Sequence, residues 1–164
     1  MHSGVDAVMS SKLPLKTFKT VVSAAPLVSI DLLVRNSAGE VLLGKRLNRP
    51  AQGYWFVPGG RILKDESLAH AFLRLTQEEL GVAVPMDQAE FLGPFEHFYS
   101  DNFSGEEFST HYVALGYQLE LDASLEELPY LQHREYRWWP VKELLSHSEV
   151  HKHTKWYVRF MFKN

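Results

Sequence analysis

The sequence predicts an α/β fold in which a mixed β-sheet packs between α-helices. Short apolar and β-branched runs recur along the chain, one amphipathic helical segment stands among them, and further helical segments lie near both ends. The 164 residues, of which 45% are hydrophobic, suit one domain with a buried core. We place this domain at residues 14–164, after an N-terminal tail of residues 1–13.

Strand signals dominate the first third of the chain. The expected elements are a short helix ending before Pro26, strands at 26–35 and 40–46 joined as a hairpin, and a short strand at 54–57. Gly59 and Gly60 follow that last strand and predict a sharp turn, because glycine adopts backbone angles that other residues avoid.

The central helix is predicted to begin at Asp65 and to end at Gly81. Asp65 is the expected N-cap and Gly81 the expected C-cap. Leu68, Phe72 and Leu75 recur at helical spacing and form the stripe expected to face the core.

The second half predicts three strands and two helices. The strands are expected at 90–100, bent at Gly93-Pro94, at 109–121, half-buried with alternating polarity, and at 134–139; the helices are expected at 141–147 and 151–162.

Composition excludes several classes of protein. The 17 Lys and Arg against 20 Asp and Glu leave no basic excess to neutralise a nucleic-acid backbone. The absence of cysteine removes disulfides, thiolate metal sites and cysteine nucleophiles. No signal peptide and no apolar run of about 20 residues is visible, so we expect a cytoplasmic protein without membrane partners.

The segment 60–82 carries the strongest functional signal. It resembles the Nudix box, G-x5-E-x7-R-E-U-x-E-E-x-G-U, where U is a bulky aliphatic residue. The matching residues are Gly60, Glu66, Arg74, Glu78, Glu79, Gly81 and Val82. The resemblance implies a glycine loop and a helix that present carboxylates to Mg²⁺, with Mn²⁺ as the alternative ion, beside a diphosphate.

A plainer interpretation of the box is a solvated helix end with an Arg74–Glu78 ion pair at i, i+4 spacing. Glu79 argues against it. This residue extends the apolar stripe of the helix, and a carboxylate buried there is costly unless a cation or hydrogen bonds compensate it.

Two box positions depart from the family pattern, because Leu75 replaces a glutamate and Thr76 a bulky aliphatic residue. Such a reduced box resembles the GDP-mannose mannosyl hydrolase branch of the Nudix hydrolases. The segments PLVSIDLLV, LLGKRLNRPAQGYWFVPGGR, HFYSDNFSG, STHYV and QHREYRW extend this resemblance over roughly residues 18–140. It implies a homodimer, with HFYSDNFSG and the N-terminal helix as candidates for its interface.

The same resemblance implies roles for individual residues. Metal ligands would be the Gly59 carbonyl, Glu79 and Gln132, with Glu66, Arg74 and Glu78 supporting the box. Arg46 and Arg61 would bind the diphosphate, which suits the forked guanidinium group. His133 would be the catalytic base, and Asp31, His97 and Tyr112 would bind the sugar or position the leaving group.

The residues alone leave alternatives open. His133 could be a surface histidine, and Arg46 and Arg49 could belong to a solvated basic loop. Asp31 interrupts an apolar strand, so it is either a ligand-binding group or a structural hydrogen-bond acceptor.

Two further patterns are rejected. Residues 39–45, GEVLLGK, have the spacing of a P-loop, but Arg46 replaces the required Ser or Thr and the segment is typical of a strand. His147, His151 and His153 lack acidic or cysteine partners, so we interpret them as a solvated helix end.

The leading functional hypothesis is Mg²⁺-dependent hydrolysis of a GDP-hexose to GDP and free sugar, by attack of water at the anomeric carbon. The first alternative is a nucleotide-sugar diphosphatase that releases GMP and sugar 1-phosphate, since Glu78 preserves a second carboxylate. The second is a non-catalytic nucleotide-sugar sensor.

Overall fold

The computed structural model describes residues 13–130 and 133–163. The predicted tail, apart from its last residue, lies outside these ranges. The helices and strands are α1 (Leu15–Ala24), β1 (Leu27–Arg35), β2 (Val41–Arg46), β3 (Trp55–Phe56), β4 (Gly59–Arg61), α2 (Leu68–Leu80), β5 (Glu90–Tyr99), β6 (Thr110–Glu120), β7 (His133–Trp139), α3 (Val141–Ser146) and α4 (Lys152–Met161), with 3₁₀ turns at Met86–Gln88 and Leu125–Glu127.

The strands form one seven-stranded mixed sheet. Its order is β3-β2-β1-β6-β5, with β4 paired to β1 and β7 paired to β2. Strands β1 and β6 run parallel along their whole paired length, from Leu27 opposite Tyr112 to Arg35 opposite Glu120, and the other pairs are antiparallel. The predicted mixed sheet is confirmed.

Helices cover both faces of this sheet. Along β1, Ile30, Leu32 and Val34 pack with α2, whereas Leu33 belongs to the core shared with α3 and α4. This alternation follows from the two-residue period of a strand. The predicted layered α/β architecture is therefore confirmed. Throughout the described part of the chain, each helix is too short or too polar to cross a membrane.

A cleft opens between β1 and β2. Within the described residues the two strands pair with each other only at Arg35 and Val41. Away from that pair, β1 takes β4 as its neighbour, while β2 takes β3 and β7. The two halves of the sheet therefore diverge, and the predicted site residues Asp31, Gly59 and Arg46 lie on the strands that border the opening.

The start of the central helix differs from the prediction. Ser67, not Asp65, is the N-cap, since its side chain accepts a hydrogen bond from the His70 N–H at 3.2 Å. Asp65 has a φ of 64° and belongs to the preceding turn. Leu68 is 43% exposed, so the core-facing side of the helix begins at Ala71 and Phe72 and not at Leu68. The predicted end at Gly81 is confirmed by its left-handed conformation, with φ 76°.

Two strands also differ from expectation. Gly59–Arg61 forms β4, antiparallel to residues 29–31, where a turn was predicted. Strand β6 was expected to be half-buried, but β1 and β5 flank it and both of its faces are covered. Ala114 on one face and Tyr117 on the other are buried in opposite cores.

Candidate active site

The cleft contains a cavity of about 190 Å³ that six of the predicted site residues line, whereas Glu79 and His133 do not line it. Predicted residues in its wall are Asp31, Arg46, Gly59, Arg61, His97 and Tyr112, joined by Ser29, Pro50, Phe56, Val57, Gly60 and Tyr99. These residues come from six strands and two adjoining loops, so the fold gathers groups that are far apart in sequence.

Arg74 is the centre of a hydrogen-bonded network on the box helix. Its guanidinium donates two hydrogen bonds to Glu66, at 2.7 and 2.9 Å, one to Glu78 at 3.0 Å and one to the Arg61 carbonyl at 3.0 Å. The hydrogen bonds from Arg74 lower the pKa of Glu66, and Glu66 in turn raises the pKa of Arg74. The Arg74–Glu78 ion pair is therefore present. It is part of a hydrogen-bonded network around Arg74 that also fixes the Arg61 carbonyl.

Glu79 lies on the core-facing side of the same helix. It is 3% exposed, as predicted from its place on the apolar stripe. Among the described residues its one ionic contact is with His133, whose Nε2 lies 3.5 Å from the Glu79 Oε2 atom. That separation is longer than an ordinary hydrogen bond, so the buried carboxylate is weakly compensated by the protein.

His133 is buried, with 2% of its surface exposed, and opens strand β7 opposite Arg46. The interpretation of a surface histidine is therefore wrong. Gly44 makes room for the ring, because a β-carbon at that position would overlap the imidazole. The His133 Nδ1 atom is buried and has no hydrogen-bond partner within the described ranges.

The donor set fits a hard divalent cation that shares its coordination with substrate. In the β1–β4 ladder the Leu32 N–H donates to the Pro58 carbonyl, and the Val28 carbonyl accepts from the Ile62 N–H, both at 2.8 Å. Gly59 therefore sits at a non-hydrogen-bonded position, with its carbonyl turned away from β1. That carbonyl and the Glu79 carboxylate are oxygen donors of the kind Mg²⁺ takes, while waters and phosphates commonly complete its shell.

Two further positions bear on the expected metal site, Gln132 and Leu75. Gln132 falls outside the described residues. Leu75, which replaces a box glutamate, is 2% exposed and packs close to Gly60. No cluster of three or more His, Asp or Glu side chains suited to a metal occurs in 13–130 and 133–163. The residues present thus fit one cation better than several.

Asp31 lines the cavity and lies on the face of the sheet opposite to helix α2. It is 6% exposed, and its Oδ2 atom accepts a hydrogen bond from the Tyr157 hydroxyl at 2.6 Å. Burial raises its pKa to about 7, against the opposing effects of the Tyr157 hydrogen bond and the Arg46 charge. Asp31 is therefore a structural hydrogen-bond acceptor that also lines the cavity.

His97 and Tyr112 share the sheet face of Asp31 and lie opposite each other in the β5–β6 ladder. His97 is 2% exposed, its Nδ1 atom lies 3.8 Å from the Asp31 Oδ2 atom, and burial lowers its pKa to about 4. Burial raises the pKa of Tyr112, so its hydroxyl keeps its proton at neutral pH. The three side chains present neutral donors and a carboxyl group to the cavity.

Two arginines supply positive charge. Arg46 ends β2 and donates from Nε to the Pro50 carbonyl at 2.8 Å, and the Arg61 guanidinium lies 5.1 Å from the centre of the Phe18 ring. Neither has a carboxylate partner among the ion pairs of the described residues. Arg49 differs, because its guanidinium pairs with Asp101 and Glu106. The solvated-loop interpretation therefore applies to Arg49 and not to Arg46.

The C-terminal histidines correct another expectation. His153 is 1% exposed and its ring stacks on His97, with 4.2 Å between ring centres and 8° between ring planes. Burial lowers its pKa to about 2. The solvated-end interpretation is therefore wrong for His153. Rejection of the P-loop is confirmed, since Val41–Arg46 is strand β2.

Tyr157 was not among the predicted site residues. It is fully buried under the cavity and makes the closest polar contact of Asp31, 126 positions earlier in the chain. Its spacing of four residues from His153 on an amphipathic helix was the one available signal.

The comparisons with known proteins agree with this architecture. A NUDIX domain family model matches residues 25–160. The chain is 43% identical to the low-salt glycan biosynthesis protein Agl8 of Haloferax volcanii over 113 residues, which are 69% of this chain and 70% of that protein.

Solved structures show the same fold. The MutT protein of Methanosarcina mazei Go1 is similar with a TM-score of 0.67 at 25% identity, covering 85% of this chain and 96% of that one. The NUDIX domain of Shewanella oneidensis NrtR, solved with ADP ribose, has a TM-score of 0.63 at 23% identity, covering 96% and 97%.

Two guanidinium groups without a carboxylate partner among the described residues line the cavity, and the buried Glu79 lies on the neighbouring helix α2. The chain belongs to the Nudix hydrolase family. This family generally uses divalent metals such as Mg²⁺ and acts on nucleotide-linked substrates.

Proposed function

We propose that this protein hydrolyses GDP-mannose, or the related GDP-glucose, to GDP and free sugar in a Mg²⁺-dependent reaction. The observation that carries the proposal is that the box carboxylates differ in their hydrogen-bond partners and in their burial. Glu66 and Glu78 are hydrogen-bonded to Arg74, and Leu75 lies in the core, which leaves Glu79 as the buried box carboxylate that Arg74 does not engage. One carboxylate-bound cation suits departure of a diphosphate from carbon.

The metal would be held by Glu79, the Gly59 carbonyl and Gln132. When bound, Mg²⁺ supplies charge neutralisation for the diphosphate. Arg46 and Arg61 line the cavity together with Gly59 and would bind diphosphate oxygens through paired N–H donors. Their contribution grows as negative charge accumulates on the leaving group.

His133 is the proposed general base. A water oxygen attacks the anomeric carbon while the bond from that carbon to the diphosphate oxygen breaks, and its electron pair leaves with GDP. The proton of the water passes to the His133 imidazole. Burial of His133 beside Glu79 favours a fixed ring orientation for this transfer.

The opposite wall of the cavity is the proposed hexose side. Asp31, His97 and Tyr112 lie there on one face of three neighbouring strands. Together they offer acceptors and donors suited to sugar hydroxyls. The name of the Haloferax relative, a glycan biosynthesis protein, supports a sugar-containing substrate for this chain as well.

Product analysis in ¹⁸O-labelled water tests the proposal. Purified protein is supplied with GDP-mannose and Mg²⁺, with Glu79→Gln as the control for contaminating activity. Label in the hexose, with GDP as co-product, is the expected result. Label in a phosphate, with GMP released, would support the diphosphatase instead, and no turnover of any nucleotide sugar would support the sensor.

The quaternary and cellular predictions belong to the same proposal. We propose a homodimer of cytoplasmic location, built from one domain at residues 14–164. Light scattering on the purified protein checks the first part, with a mass of twice 18.9 kDa expected for the dimer.

A further inference from the structure

Helix α4 contacts two of the three residues of the proposed hexose side, Asp31 and His97. Tyr157 donates its hydroxyl hydrogen bond to Asp31, and His153, one turn earlier, stacks on His97. Residues four apart lie on one face of a helix, so a single face of α4 contacts two cavity residues from two different strands. Neither Tyr157 nor His153 lines the cavity itself.

The Tyr157 ring is held rigidly. It is fully buried, and Phe95 packs against it with 4.5 Å between ring centres. On the sheet side, a β-carbon at Gly116 would come within 2.8 Å of the ring, so this glycine provides the space that the ring fills. A ring enclosed in this way presents its hydroxyl at one position, and side chains in a dense core move little.

Asp31 needs such an anchor. Arg46 attracts its carboxylate and Glu79 repels it, so the Tyr157 hydrogen bond fixes the carboxyl group against two opposing electrostatic effects. The Tyr157 hydrogen bond occupies Oδ2, while Oδ1 lies beside Gly59, where any β-carbon would come within 2.6 Å of it, and both residues line the cavity. The anchored carboxyl group thus keeps one oxygen available to a ligand hydroxyl.

We infer that Tyr157, supported by His153, is a positioning residue that orients Asp31 and His97 for recognition of the hexose, which makes the C-terminal helix part of the sugar site. This inference rests on the proposed function. Tyr157 acts through Asp31 and contacts no substrate atom.

The test compares Tyr157→Phe with Tyr117→Phe. Tyr117 is a buried tyrosine on the other face of β6, packed against Phe72 and away from the cavity, so its variant controls for the general effect of a Tyr→Phe change in the core. Tyr157→Phe should lower kcat/KM for GDP-mannose about tenfold or more, the size expected for a hydrogen bond to a charged group. Affinity for GDP, which lacks the hexose, should stay within about twofold. Tyr117→Phe should change neither quantity.

A double-mutant cycle separates positioning from general packing. In an Asp31→Asn background, Tyr157→Phe should add less than about twofold, because the group it orients is already altered. Equal losses in both backgrounds, or a matching loss of GDP affinity, would overturn the inference. If Tyr157→Phe does not fold, Phe95→Leu loosens the same ring and should produce a smaller loss with the same dependence on Asp31; its absence would also overturn the inference.

The wild-type measurement distinguishes the two levels of the proposal. Turnover of GDP-hexoses by the wild type together with an unchanged Tyr157→Phe variant overturns the positioning role alone. Failure of the wild type to hydrolyse any GDP-hexose overturns the proposed function, and the inference with it.

Discussion

The two sides of the cleft are organised by different means. On the α2 side, Arg74 gathers Glu66, Glu78 and the Arg61 carbonyl within one stretch of sequence. On the α4 side, Asp31 and Tyr157 meet although 126 positions separate them. The first side is built by local spacing, and the second exists only once the sheet and the C-terminal helix have packed.

The two buried carboxyl groups show what this difference means chemically. Glu79 is left with a distant histidine contact, whereas Asp31 has a short hydrogen bond from a fixed hydroxyl. A carboxylate without strong protein partners is suited to receive an external cation, and one already anchored is suited to recognise a neutral hydroxyl. The comparison predicts separable effects of mutation on the two sides.

The largest expected effect is on catalysis at His133. His133→Gln should lower kcat by about 10²–10⁴, the usual contribution of a general base. Steady-state kinetics with GDP-mannose measures it, and His70→Gln, at an exposed position of α2, is the matched control. A kcat near the wild-type value would leave the base unassigned.

Loss of the hydrogen-bonded network around Arg74 should lower the stability of the folded protein. Arg74→Ala leaves Glu66 without its partner, although the Glu66 side chain is only 14% exposed. The free energy of unfolding should fall by about 2–3 kcal/mol, as for other charged hydrogen bonds removed from sites that exclude water. Urea denaturation checks this against Arg137→Ala, which breaks an exposed pair with Glu143 and should cost less than about 1 kcal/mol. Similar losses of stability in Arg74→Ala and Arg137→Ala would contradict a structural role for the Arg74 network.

The two free arginines should respond differently from Arg74. Arg46→Lys and Arg61→Lys keep the charge but lose the forked donor geometry, so each should reduce kcat about tenfold while stability changes little. Kinetics and thermal unfolding together check both parts. A change confined to KM would mean that the arginine binds substrate and transition state equally.

The smallest expected effect concerns stability on the α4 side at acid pH. Burial lowers the pKa of His97 to about 4 and that of His153 to about 2, so the unfolded chain takes up protons that the folded protein does not. These histidines therefore destabilise the fold as pH falls below about 6.5, the ordinary histidine value. Asp31, with its pKa raised to about 7, acts in the opposite direction between pH 7 and 4 but offsets only one of the two protons.

His153→Phe isolates one of these contributions. Denaturation at several pH values should show a shallower loss of stability between pH 6 and 4.5, by up to about 1.4 kcal/mol per pH unit for one proton. A slope identical to that of the wild type would show that His153 accepts its proton in the folded state.

The same contrast explains what the sequence could predict. Box spacing located Glu66, Arg74 and Glu79, and helical periodicity placed Glu79 toward the core, because all of these depend on residues within a few turns of one another. The strand alternation around Asp31 indicated a buried carboxyl group that needs a partner. It could not indicate which partner, since Tyr157 lies in an element that local pattern does not connect to β1.

The predictions that were wrong concern features that depend on contacts between residues distant in the sequence. Gly59–Arg61 has little β propensity and is a strand only because β1 pairs with it. Asp65 and Ser67 are both good N-caps, and the choice between them depends on the tertiary path of the loop that Arg74 fixes. His153 was interpreted as solvated because its stacking partner, His97, is on a strand more than 50 residues earlier.

We propose that Glu79 alone among the box carboxylates binds the metal, while Glu78 is held by Arg74. Titration of Mn²⁺ in the presence of GDP, followed by electron paramagnetic resonance, tests it directly on the wild type, Glu79→Gln and Glu78→Gln. Glu79→Gln should weaken Mn²⁺ binding about tenfold or more, because a neutral amide removes the charge that balances the cation. Glu78→Gln should stay within about twofold. Equal weakening in the two variants, or a second Mn²⁺ ion lost with Glu78, would contradict the single-metal account.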